Sequence, residues 1–277
     1  MEWSKIKNIV ILILLCVNGA LLGLLIPRER QQALFAAETW SGAVSALERG
    51  GITFAADSPP LDMALTPLSV TRDRTGEQAA AEALLGPLQE DPDSSPVRTL
   101  YTGPGGTAEF TMAGECAIRP AEGVRTLEGS RRDEAGRDCL LQLGFTGRLL
   151  EERTEPLPDG GERHTLTYCQ EWEGVPIFSC QIQVVWQGEQ LLSIQGERLT
   201  GTAVPGGGEV LSTAGALVRF LAGLNQAGAL CTRIDAMSAG YLITEPRPVQ
   251  LTPVWSIETD NGVYYLNALD GALLTLE

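Results

Sequence analysis

The protein has 277 residues, with 35 acidic against 20 basic side chains and a net charge of −15. That balance repels nucleic acid and anionic lipid headgroups, so nucleic-acid binding is excluded and a basic partner is favoured. An apolar share of 44% is that of a folded chain. One histidine, His164, leaves no His-rich metal site and at most one imidazole-based triad. The six cysteines contain no Cys-x-x-Cys, which removes the zinc-ribbon and thioredoxin-type readings.

In chain order, the first element is an apolar run from Ile9 to Ile26 whose only strongly polar member is Asn18. A membrane-spanning helix needs about 17–25 residues, and a signal-peptide core is shorter and ends in a small-x-small site. Here the run ends at Pro27-Arg28-Glu29-Arg30, with no Ala-x-Ala triplet nearby. The reading is a retained anchor: residues 1–8 cytoplasmic, 9–26 a transmembrane helix, and the bulk extracytoplasmic in the cell membrane. Within it, Asn18 and the Gly19-x-x-x-Gly23 pair are the candidate contact face, because polar and small residues drive helix packing in lipid.

Residues 27–125 read as a stalk and the first part of the outer domain. Leu34, Trp40, Val44 and Leu47 recur at helical spacing over 28–50, and Gly50-Gly51 ends the run. Prolines break 52–72 into extended chain. A helix over 75–88 is expected, with Thr75 as N-cap and Gln78 at the capping-box position.

From residue 126 a pattern occurs twice. Residues 130–145 read as a Ser-capped helix followed by four strand-like segments, making a unit over 126–205. A second Ser/Thr-capped helix over 212–228 precedes further strands in a unit over 206–277. The expected class is α+β, each unit a helix packed on an antiparallel meander. Strand alternation places Phe178, Cys180, Ile182, Val184 and Trp186 on one face, and Ser179, Gln181 and Gln183 on the other. Leu269-Asp270-Gly271-Ala272 is an Asp-Gly turn. A two-residue loop at Gly174-Val175 sets Cys169 opposite Cys180, so this pair is the candidate disulfide. Two buried free thiols are the alternative.

The sequence offers no catalytic, cofactor or metal-ligating constellation. His164 lies beside a glycine-rich turn, and no Gly-x-Ser-x-Gly elbow occurs. Glu151-Glu152 and Glu171/Glu173 read as solvated strand edges. Gly103-Pro104-Gly105-Gly106 and Gly206-Gly207-Gly208 read as turns, since neither leads into the Gly-Lys-Ser/Thr of a phosphate loop or a Gly-x-x-Gly helix start. The expectation is a protein that is not an enzyme and carries no cofactor.

Two features together carry a resemblance. The start, with Met1, Glu2, Trp3, Ser4, Lys5 and Lys7 running into the apolar segment and Asn18 late in it, resembles the YycI proteins. Tyr168, Gln170, Trp172, Gly174, Pro176, Ile177 and Phe178, and then Pro253, Trp255, Gly262, Tyr265, Asn267, Ala268 and Gly271, resemble the PepSY-like units of that family and of protease propeptides. The resemblance is best over 1–26 and 130–277, and the chain departs from it in its wealth of Cys, Gly and acidic residues. It implies two PepSY-like units behind a membrane helix. It also implies a regulator of a WalK-like sensor histidine kinase in cell-wall homeostasis, acting with a YycH-like protein through helix and outer-domain contacts. The alternative is a PepSY-type extracellular protease inhibitor or ligand-binding module.

Overall fold

The structure is a computed structural model, and it describes residues 11, 14, 37–55, 65–158 and 160–274. Strand accounts for 47% of these residues and helix for 22%. This overturns the α+β expectation of helix-plus-meander units: the described protein is mostly β, and the 15 strands among the described residues belong to a single mixed sheet. The helices are a minority laid against it.

After a helix over 37–49 (α1) come strands Thr53–Phe54 (β1) and Leu68–Arg72 (β2), helix Glu77–Leu85 (α2) and strands Gln89–Glu90 (β3), Arg98–Gly103 (β4), Gly106–Thr111 (β5) and Glu115–Pro120 (β6). Helix Arg132–Gln142 (α3) leads into Gly147–Pro156 (β7), Glu162–Trp172 (β8), Val175–Gln187 (β9), Gln190–Glu197 (β10) and Gly201–Pro205 (β11). Helix Thr213–Ala227 (α4) is followed by Arg233–Pro246 (β12), Val249–Thr259 (β13), Gly262–Asn267 (β14) and Leu273–Leu274 (β15).

The strand order is β11-β2-β13-β12-β9-β10-β6-β5-β4-β3, with β8 and β7 continuing from β9 on a branch. The strands of the two expected units therefore merge. The joint is a parallel bridge, Tyr241 to Ile177, between β12 and the start of β9.

Two cores lie on this sheet. The first gathers Ala43 and Leu47 of α1, Leu217, Phe220 and Leu224 of α4, and Trp255 and Ile257 of β13. The second gathers Ala81, Leu84 and Leu85 of α2, Leu140 of α3, and Ile182, Val184 and Trp186 of β9. Each fully buried large side chain contributes about 1.5–3 kcal/mol, so the helices are held by burial more than by propensity.

Local chemistry sets the helix ends. Ser212 caps α4 as expected, its Oγ accepting from Gly215 N at 3.2 Å, and Gly228 closes the helix in the left-handed region. Thr75 does not cap α2. Its N–H and hydroxyl both turn back to Asp73 Oδ1 at 2.9 and 2.7 Å, and Gly76 takes the N-cap position without a side-chain bond. Nor does Ser130 cap α3, which starts one residue after Arg131.

Among the described residues no helix is long and apolar enough to cross a membrane. The 9–26 run, with Asn18, Gly19 and Gly23, lies outside the described residues apart from Ile11 and Leu14.

Candidate functional site

Several concavities open on the described surface, and one lies on the face of the sheet opposite the second core. It has a volume of about 480 Å³ and is lined by Glu115, Thr167, Gln181, Gln183, Gln195 and Glu197, with Cys116 and Gly196 at its floor. Its origin is the two-residue period of the strands. Ile182, Val184 and Trp186 point into the second core, so Gln181 and Gln183 face outward. Thr167 pairs with Gln183, which pairs in turn with Gln195. This row of amides and a hydroxyl runs across β8, β9 and β10, with no helix above it among the described residues. Gly196 holds φ at +149°, and a Cβ there would overlap the Gln181 carbonyl. Only glycine lets the strands close at this point.

At the edge of that face Glu197 meets Arg72 at 3.3 Å. Burial pushes the Glu197 carboxyl up, and Arg72 opposes the shift. The Cys116 thiol is pushed up to about 11 by burial, with Arg198 opposing. Thiols held so far above neutrality are protonated and poor nucleophiles.

A second cleft, of about 400 Å³, lies between α2 and the end of α3. Its floor is an ion network that holds α2 to the sheet. Arg74 grips Glu77 with a fork of hydrogen bonds at 2.9–3.1 Å and reaches Thr99 Oγ1 at 2.9 Å. Buried Arg198 donates to the Leu143 carbonyl at 2.6 Å, lies 3.8 Å from Glu77 and covers the Phe110 ring at 4.8 Å. Desolvation lowers the Arg198 pKa, while the hydrogen bond to Glu77 raises that of Arg74. These groups satisfy one another, so the network fixes the fold.

The third cleft, about 410 Å³, sits at the β8–β9 hairpin beside Trp172, Glu171 and Glu173. Buried Gln170 anchors it. Its Nε2 donates to the Leu199 carbonyl and its Oε1 accepts from Leu199 N–H, each at 2.7 Å.

The cysteine pair of the sequence reading is not joined: Cys169 and Cys180 are buried free thiols. The hairpin loop is Glu173-Gly174, one residue earlier than expected, so Trp172 pairs with Val175. The register then shifts, and Cys169 pairs with Gln181. Cys180 falls within the bulge that this shift creates. Cys169 Sγ donates instead to the Ile177 carbonyl at 3.3 Å.

His164 is buried between strands, its Nδ1 3.0 Å from Thr154 Oγ1. Its Nε2 lies 3.3 Å from Glu162 Oε2 without hydrogen-bond alignment. None of these three concavities contains it. Among the described residues no group of three or more His, Cys, Asp or Glu is placed to hold a metal ion. The glycines at 103–106 form the β4–β5 turn, where a Cβ on Gly105 would overlap the Leu85 carbonyl at the end of α2.

Comparison with known proteins adds fold information alone. No family model matches the chain, and no curated protein matches it. The crystal structure of an uncharacterized protein from Eubacterium rectale ATCC 33656 is similar in fold, with a TM-score of 0.52 at 8% identity. The match covers 82% of this chain and 90% of that one.

Proposed function

We propose that this protein is a membrane-anchored extracytoplasmic regulator of a sensor histidine kinase, working by protein contact and not by catalysis. The observation that carries the reading is the uncovered sheet face of Thr167, Gln181, Gln183 and Gln195. It is an open concavity of about 480 Å³ whose glutamines, threonine and two carboxylates offer hydrogen-bonding groups to another protein. The opening sequence supports a membrane helix, and a net charge of −15 suits a basic partner surface. In this reading the outer domain binds one state of the kinase better than the other and so biases its equilibrium. The helix face with Asn18, Gly19 and Gly23 supplies the contact within the bilayer.

The test is co-purification with the kinase from solubilised membranes. Gly19→Ile with Gly23→Ile should reduce the kinase recovered. Undiminished recovery would remove the helix contact, and failure of the parent chain to retain any histidine kinase would remove the reading.

A further inference from the structure

β7 is a long strand at the margin of the sheet, paired among the described residues with β8 alone. Every residue from Leu150 to Pro156 is exposed. Its outer row of backbone N–H and C=O groups is a template for another strand. Register with β8 sorts its side chains: Glu151, Arg153 and Glu155 share the open face with Thr167, Thr165 and Arg163, while Glu152 and Thr154 lie beside Leu166 and His164. Arg148 is drawn towards Glu171 at 3.8 Å, and Arg153 lies 3.9 Å from Glu151. Among the described residues Glu152 and Glu155 have no ion pair, although Arg163 stands across from Glu155.

A second copy meets like charges in most registers of this edge. Two copies joined into one continuous sheet are related by a two-fold axis normal to it, which sets like-facing residues opposite one another. Centring that axis on residue 151, 153 or 155 opposes two identical charges, a destabilising arrangement. The register centred on Glu152 opposes two glutamates but sets Glu151 across from Arg153 twice, and the one centred on Thr154 pairs Arg153 with Glu155 but overlaps only 152–156. A strand of complementary charge avoids every like-charge contact, which a second copy centred on any of the four charged positions does not.

We propose that the free edge of β7 docks an extended basic segment of a partner protein, which joins the sheet as an antiparallel strand. Antiparallel pairs already connect the strands from β7 through β10 and on to β3. Main-chain hydrogen bonds hold the segment. Basic side chains opposite Glu151, Glu152 and Glu155, with an acid opposite Arg153, select it. This deepens the protein-contact reading above and rests on it.

The probe is a labelled octapeptide, Thr-Lys-Val-Glu-Lys-Lys-Val-Thr, titrated into the full-length protein by fluorescence anisotropy. Its charge-inverted twin, Thr-Glu-Val-Lys-Glu-Glu-Val-Thr, is the control. The basic peptide should bind about tenfold more tightly, as four exposed cross-strand ion pairs allow. Glu152→Lys with Glu155→Lys, both at exposed positions, should erase that preference. Hydrogen exchange should show new protection at β7 amides. Equal affinity for the two peptides, or protection confined to other strands, overturns the assignment. So does a concentration-dependent dimer of the free protein that Glu155→Lys abolishes. If the octapeptide fails while a kinase co-purifies, the edge assignment falls alone; if it binds and no kinase co-purifies, the regulator reading falls alone.

Discussion

Gln170 is the residue on which the two halves of the sheet are pinned. It is 4% exposed, and both ends of its amide are spent on the backbone of Leu199, which lies just past β10. A buried amide is worth little when paired and costs much when it leaves partners behind. Gln170→Leu preserves size but leaves the Leu199 N–H and C=O buried without partners. The expected loss is about 2–3 kcal/mol, read as a lower denaturation midpoint with an unchanged slope. A loss no larger than that of an ordinary surface substitution would mean that water replaces the clamp. Nothing in the local sequence marks Gln170 for this role, because its partner is 29 positions away. The Glu77–Arg198 pair was equally hidden. Two charged residues far apart in sequence read as surface, and only the fold buries them together. By contrast, Ser212 was legible as a cap because its bond to Gly215 is local.

At the scale of elements, the β8–β9 hairpin shows where sequence reading stops. The alternation from Gln181 to Trp186 follows from side-chain type and appears as expected. The register does not, because a one-residue error in locating the turn moves every pairing. Glu173 and Gly174 have φ of +51° and +83°, the left-handed pair of a type I′ turn. Glutamate is an uncommon choice at the first of these positions, which hid the turn. The bulge beyond it has no composition signal of its own, and it carried Cys180 out of register with Cys169. Asparagine tolerates positive φ better than glutamate, so Glu173→Asn should stabilise the protein by about 0.5–1 kcal/mol. Thermal unfolding checks this; a fall in Tm would show that the Glu173 side chain contributes more than its backbone strain removes. The class of the fold was lost for a related reason. Helix and strand segments were each legible, but whether strands stay in separate units or merge into one sheet is decided by long-range pairing such as Tyr241 with Ile177.

Across the whole molecule, that merging has a consequence for stability. β9 is a single strand serving both cores: Ile177 and Cys180 belong to the first, Ile182, Val184 and Trp186 to the second. β8 runs alongside it, from Leu166 and Tyr168 in the second core to Trp172 packed on the first. No plane separates the cores without tearing these two strands, so neither core can open and leave the other intact. The two cores should therefore unfold together. Phe220, fully buried in the first core, is the lever. Phe220→Ala removes a large side chain and leaves a cavity, at a cost of about 3–5 kcal/mol. Hydrogen exchange can track each core separately, through the amides of β13 for the first and of β5 and β6 for the second. In a cooperative molecule the slowest amides of both regions lose protection by a similar amount, although Phe220 touches only one of them. Loss confined to β13, with β5 and β6 unchanged, would show two independent folding units joined by a passive hairpin. A cooperative pair would instead make the uncovered face and the β7 edge parts of one rigid body, able to carry strain from a bound partner to the α1 end of the chain.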